Sequence, residues 1–266
     1  VAIACIEDML KDSTKAANSS SAKSGDLFAS IDEDFDPYEK YKNLPDLTMS
    51  ELLSLEKKSL GYYLSGHPVD AIGGKIEKLR SRKIGDITND IKKASLVCLI
   101  NSARQIKDRK GNPLTFINFD DGSGVMDGVV ASDTLETCHG ILKEGSILIL
   151  KGTIELDDYK SKDLGDAMYR MRVREVHSLD TELERKVREI MINIEKSDVL
   201  SLDALSEKLG EIKDDFWVHG SCQLNIKVKT GKSEVIISAG EKFNFPPTLI
   251  NLTYLEEIFG TNALEI

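Results

Sequence analysis

The chain has 266 residues, 41% of them apolar and 30% charged, with a formal net charge of −10. That composition is ordinary for a soluble globular protein with one large core or two small ones, and no stretch approaches the roughly 20 apolar residues of a membrane-spanning helix. The acidic balance argues against a protein that coats nucleic acid indiscriminately, and four scattered cysteines (Cys5, Cys98, Cys138, Cys222) without a C-x-x-C argue against a disulfide scaffold or zinc module and fit a reducing cytosol.

Residues 1–16 read as the end of a helix carrying Val1, Ile3, Ala4, Met9 and Leu10. From Ala16 to Pro37 the chain is Ser-rich and acidic, a composition that cannot bury enough surface to fold alone. Residues 17–47 are therefore expected to form a flexible linker. Its apolar pair Leu27-Phe28 reads either as a staple packing back on its host or as a short peptide ligand. Thr48-Met49-Ser50-Glu51 is a capping box. It opens a helix with Leu52, Leu53, Leu60 and Leu64; Gly66 suits the position just past its end, and Pro68 prevents continuation. His67 reads as part of this helix stop. Residues 48–93 make a helical connector, basic in its second half, with a short helix expected at Ile76–Arg80.

From Ala94 to His177 the pattern changes to strands. Ser95–Ile106 is the first run, Leu114–Asp120 alternates, and Val125–Val130 follows the tight turn Asp121-Gly122-Ser123-Gly124. Ser132–Lys143 reads as a helix with Leu135, Cys138 and Leu142 on one side. Ser146–Ile154 is nearly all apolar, and Met168–Val176 is the fifth strand. Five strands with a helix between the third and fourth are the order of an OB-fold over residues 94–177, a small barrel that binds single strands on strands two and three and between its loops. Those loops are Lys107–Asn112 and Glu155–Asp166.

Residues 178–266 read as a second domain. A strand at Met191–Ile194, a helix at Ser201–Leu209, two strands around Thr230-Gly231-Lys232, a helix after Pro246-Pro247 and a last strand at Ala263–Ile266 give the order βαββαβ, which suggests a ferredoxin-like sandwich. The fold class is thus α+β: helices and a flexible linker, a five-stranded OB-fold barrel, then a small C-terminal domain.

Residues suited to catalysis are scarce. Asp120 and Asp121 are adjacent on a strand, so their side chains point to opposite faces and do not easily share a metal; a turn role is the simpler reading. No phosphate-binding glycine loop, dinucleotide fingerprint, H-E-x-x-H or G-x-S-x-G occurs. Residues suited to nucleic acid are more numerous. Arg104, Lys107, Arg109 and Lys110 lie within seven residues, next to Asn112. Arg170, Arg172 and Arg174 alternate and so face one way, toward either phosphates or nearby carboxylates. Phe116 either stacks a base or fills the barrel, and Asn118 shares its face.

Leu60-Gly61-Tyr62-Tyr63-Leu64-Ser65-Gly66-His67-Pro68, then Lys110-Gly111-Asn112, Phe119-Asp120-Asp121-Gly122-Ser123-Gly124 and Val173-Arg174-Glu175-Val176 occur in this order. They resemble the C-terminal region of the bacterial DNA polymerase III alpha subunit, a C-family replicative polymerase, and the resemblance runs collinearly over essentially the whole chain. It implies a fragment of a cytoplasmic DNA-directed DNA polymerase, a nucleotidyltransferase, whose palm with its Mg-binding aspartates would lie before Val1. The fragment itself would carry no catalytic residue and no cofactor. Residues 1–16 would be the exit of a helix-hairpin-helix region. Ser24-Gly25-Asp26-Leu27-Phe28 would fall at the sliding-clamp peptide, with Ser24 where that pattern has Gln. The barrel would contact the single-stranded template, and residues 178–266 the tau subunit of the clamp loader, among other holoenzyme subunits. Two other readings stay open. One is a stand-alone OB module, such as the anticodon-binding domain of a class II aminoacyl-tRNA synthetase. The other is a scaffold that binds only protein.

Overall fold

The computed structural model describes residue 11 and residues 47–266, apart from 78, 108–110, 139, 158–160, 162–166, 196–206, 211, 213, 218–219, 231–232 and 261–262. The clamp-peptide candidates Ser24, Gly25, Asp26, Leu27 and Phe28 lie outside the described residues, as do the 1–16 helix end (apart from Lys11), loop residues Arg109 and Lys110, and most of the helix expected at Ser201–Leu209. The chain divides into two compact units at Tyr62/Tyr63. In the first, helix α1 (Met49–Leu60) begins with the expected capping box: Thr48 Oγ1 accepts from the Glu51 N–H, and Glu51 accepts in return from the Thr48 N–H. It ends at Gly61, whose φ of +83° suits a residue without a side chain.

The second unit opens with α2 (Pro68–Ala71), a single turn capped by His67. The short helix expected at Ile76–Arg80 is instead a 3-10 turn at Gly73–Ile76. Two glycines ahead of Lys75 weaken helix propagation there. Then come β1 (Lys93–Lys107), β2 (Pro113–Asp120), β3 (Val125–Val130), α3 (Ser132–Thr137), β4 (Ile147–Leu156) and β5 (Tyr169–Ser178). They close into a five-stranded barrel of order β1-β2-β3-β5-β4. The antiparallel pairs are joined by one parallel pair, β3 with β5, as the OB-fold requires. Helix α3 stops at Thr137, short of the expected Lys143, and Gly140 follows with a positive φ.

The barrel interior is filled by Leu96, Cys98 and Ile100 of β1, Ile117 and Phe119 of β2, and Leu148 and Leu150 of β4, among others. Gly128 makes room for Phe119, since a Cβ there would lie 2.9 Å from its ring. Val97, Leu99 and Ile149 point the other way, and they too are buried. They join a second core with Val69, Ile72, Ile76 and Leu79 of the connector and residues beyond the barrel. Helix α4 (Leu179–Lys186) contributes Leu179 and Leu183 to it. Ile190 and Ile192 come from β6 (Glu189–Glu195), Leu224 from β7 (Gln223–Thr230), and Leu252 and Leu255 from α5 (Leu249–Phe259).

The second sheet is completed by β8 (Ser233–Ser238) and β9 (Leu264–Glu265), in the order β8-β7-β6-β9. The strands expected in this region are present, but the ferredoxin-like arrangement is not. A ferredoxin-like sheet is a split βαβ, with another strand between the two parallel ones. Here β6 and β7 are direct parallel neighbours, and the β7–β8 hairpin places β8 at the edge.

Candidate nucleic-acid interface

The OB-fold's single-strand face is the outer surface of β2 and β3 with the adjoining strands. On β2 alternation sends Thr115, Ile117 and Phe119 inward and leaves Leu114, Phe116, Asn118 and Asp120 outward. Phe116 is 44% exposed, so the structure takes it out of the core and places it on this face. The register then aligns a row across four strands: Arg104 of β1 opposite Phe116, Phe116 opposite Val129 of β3, and Val129 opposite Arg172 of β5. An aromatic ring between two strands thus has a guanidinium-bearing residue on its own row to either side. Bases stack on such rings while cations meet the backbone.

The next row holds Ser102, Asn118, Asp127 and Arg170. Asn118 is committed: its Nδ2 donates to Asp127 at 2.7 Å and its Oδ1 accepts from Asn101 at 3.2 Å. Asn101 also donates to Asp120 at 2.6 Å. This end of the face is a polar network with two carboxylates, which repels phosphate. Arg104 and Lys107, toward the other end, are exposed, and Arg104 makes no ion pair among the described residues.

Arg170 and Arg172 are about half exposed and both reach Glu155 of β4, at 3.6 and 3.2 Å. The carboxylate neighbours weighed for these arginines are therefore real for two of the three. Arg174 is exposed at a register shift between β4 and β5. The shift sits at Gly152, where a Cβ would collide with the Arg172 carbonyl. Asn112 is exposed beside Gly111, at the edge of the loop.

His67 and the Asp-Gly turn meet in space. His67 Nδ1 accepts from the Val69 N–H at 3.2 Å, capping α2, while its Nε2 lies against Asp120 Oδ1. Asp121 is 2% exposed. It accepts from the Ile84 N–H at 2.8 Å and from the Ser123 N–H and hydroxyl at 3.0 and 2.6 Å. The adjacent aspartates thus do point apart, one to the connector's histidine and one into the turn. Sequence reasoning gave His67 no partner, because Asp120 lies 53 positions away. Among the described residues no group of three or more His, Cys, Asp or Glu side chains is placed to hold a metal ion. No helix there is long and apolar enough to cross a membrane.

The barrel defines the class: residues 96–179 match the family described as OB-fold nucleic acid binding domain. The more particular likeness covers nearly the whole chain. It is 24% identical over 263 residues to DNA polymerase III subunit alpha of Pseudomonas fluorescens, aligning 98% of this chain with 22% of that protein. The subunit from Haemophilus influenzae is 25% identical over 269 residues, again 98% of this chain and 22% of the relative. The family resemblance carried by the Leu60–Pro68 and Asp-Gly motifs is therefore a likeness along almost the entire sequence. The chain spans about a fifth of the length of these relatives (22%). Among solved structures, a mitochondrial single-stranded DNA binding protein of S. cerevisiae overlaps 34% of this chain and 97% of its own, at 10% identity and a TM-score of 0.28.

Proposed function

We propose that the chain is a non-catalytic, cytoplasmic part of a replicative DNA polymerase and that its barrel binds the single-stranded template across β1, β2, β3 and β5. The observation that carries this is the row Arg104–Phe116–Val129–Arg172. Phe116 is the stacking platform; Arg104, Lys107, Arg172 and the loop cations Arg109 and Lys110 meet phosphates, with Arg170 and Arg174 alongside. Asn112 and Asn118 lie at the two ends of this path. The likeness to polymerase III alpha subunits supports the polymerase setting, in which nucleotidyl transfer is performed by a part of the protein outside this chain.

Two further contacts complete the proposal. Leu27 and Phe28, within Ser24–Phe28, anchor a sliding clamp through an apolar pocket, and residues 178–266 bind the tau subunit of the clamp loader. The barrel reading is tested by titrating fluorescent oligo-dT with the whole chain at low and high salt. Binding that fades as salt rises supports it; absence of binding at low salt overturns it and leaves the barrel a protein-contact element. The clamp reading is tested by pull-down with Leu27→Ala/Phe28→Ala, which is expected to abolish capture.

A further inference from the structure

Among the described residues the second sheet ends in an open edge, where β8 is hydrogen-bonded to β7 on one side only. All six of its residues are exposed, Val235, Ile236 and Ile237 by 50, 57 and 40%. Edge strands offer unpaired N–H and C=O groups and are usually guarded by Lys, Pro or a bulge. β8 reads Ser-Glu-Val-Ile-Ile-Ser and pairs with β7 without a register shift, so it has none of these. Its one charge, Glu234, lies 3.4 Å from Lys227 of β7.

The backbone direction of this edge follows from one bond. The Ala239 N–H donates to the Leu224 carbonyl at 3.0 Å. Along an antiparallel ladder, residues facing the neighbour alternate with residues facing away. In the register of β7 and β8, Ile237 and Val235 therefore face β7 through Ile226 and Val228. The N–H and C=O groups of Glu234, Ile236 and Ser238 point outward.

We propose that β8 pairs antiparallel with β8 of a second copy of this chain, about a twofold axis at Ile236. Ile236 then lies opposite its own counterpart, Glu234 opposite Ser238, and Val235 opposite Ile237. Outward-facing polar groups meet outward-facing ones throughout. Val235 and Ile237 lie on the same sheet face as the buried Ile192 and Ile226 and the half-buried Val228. Each carboxylate faces a serine hydroxyl rather than the other carboxylate. An axis between two residues would set outward groups against inward ones. Moving the axis to Val235 or Ile237 would place Ile236 opposite Glu234 or Ser238 and break the match. A six-residue ladder buries less than the roughly 1,200–2,000 Å² of stable interfaces, so the association is weak and reversible.

Sedimentation velocity of the whole chain from about 10 μM to 1 mM spans the affinities of such small interfaces. The parent is expected to shift from monomer toward dimer. Ile236→Lys, which sets two cations face to face, is expected to remain monomeric. So is Ile236→Pro, which removes an outward N–H and spares the β7 ladder. The register has its own readout. Hydrogen-bonded antiparallel partners have Cα atoms about 5.5 Å apart, within the disulfide range of about 4.4–6.8 Å. In a Cys5→Ser background, mild oxidation should cross-link Ile236→Cys and not Glu234→Cys. The proposal is overturned if the parent stays monomeric, if both Ile236 variants associate like the parent, or if the two cysteine variants cross-link equally. A monomeric parent whose β8 amides gain exchange protection only with another protein would assign the edge to a strand from that partner.

Discussion

Glu182 of α4 has no exposed surface, and its carboxylate accepts a 2.8 Å hydrogen bond from Lys151 of β4. Arg185 donates to its other oxygen at 2.9 Å, and His177 lies 3.8 Å away. Lys151 also stands 3.6 Å from Glu175 of β5. One lysine thus ties two barrel strands to the helix that carries Leu179 and Leu183 into the second core. Burial opposes the charge of Glu182, but the hydrogen bonds from Lys151 and Arg185 outweigh it and hold the carboxyl below its ordinary range.

Removing that carboxylate leaves Lys151 without its buried partner. Glu182→Ala is expected to destabilise the chain by about 1–3 kcal/mol, the cost of lost hydrogen bonds to a charged group, because Lys151 keeps Glu175 and Arg185 stays in solvent. Urea denaturation checks this, and Glu182→Leu/Lys151→Met should recover much of the loss. The folded-state pKa lies below the unfolded one, so the contribution is complete above about pH 5, begins to fade near the ordinary carboxylate value of about 4, and is lost as pH falls through the lowered folded-state value. The acid limb of a stability–pH curve should therefore be shallower in Glu182→Gln.

The interface prediction concerns Phe116. Phe116→Ala should weaken oligo-dT binding by about 1–3 kcal/mol, roughly 5- to 150-fold, with little change in the salt slope, because stacking carries no charge. Arg104→Ala should weaken binding and lower the slope by about one counterion. Fluorescence anisotropy at three salt concentrations separates the two effects.

Glu155 decides what Arg170 and Arg172 are for. Both are about half exposed and share this one carboxylate. If they meet phosphate, Glu155→Gln should tighten oligo-dT binding and steepen its salt dependence, since two guanidinium groups are released. Unchanged binding would make the cluster a structural tie between β4 and β5. An exposed pair contributes at most about 1 kcal/mol, so stability should scarcely move.

The barrel was legible because its signals are local. Strand alternation at Leu114–Asp120 and the glycine-rich turn after it each follow from adjacent residues, as does the capping box at Thr48 in the first unit. The nearly continuous apolar runs of β1 and β4 have a longer-range cause. Leu96, Cys98 and Ile100 face the barrel interior, while Val97 and Leu99 face the second core. A strand buried on both sides loses its alternation, and nothing local says what lies on its far side. The same limit hid α4, where the carboxylate of Glu182 is buried beside Leu179 and Leu183. It also hid the order of the second sheet, since one list of elements serves several strand orders. At the interface, alternation put Asn118 on the face of Phe116 but could not show that Asp127 and Asn101 already occupy it.

The pairing of His67 with Asp120 is what the Leu60–Pro68 and Asp-Gly motifs have in common, and it can be measured. His67 caps α2 with one nitrogen and meets Asp120 with the other. Gly122, at φ +82°, brings the turn so close that a Cβ there would lie 3.0 Å from His67 and 3.1 Å from Asp70. His67→Ala and Asp120→Ala should each destabilise the chain. Because each removes the same contact, the double variant should fall short of the sum by about 0.5–3 kcal/mol in a double-mutant cycle. Gly122→Ala should cost stability both through its backbone conformation and by pushing His67 away. Additive losses from His67→Ala and Asp120→Ala would mean that the two motifs are merely neighbours, and that the connector is held to the barrel by its other contacts, among them the Ile84 N–H to Asp121 and Gly85 N–H to Ser123 hydrogen bonds.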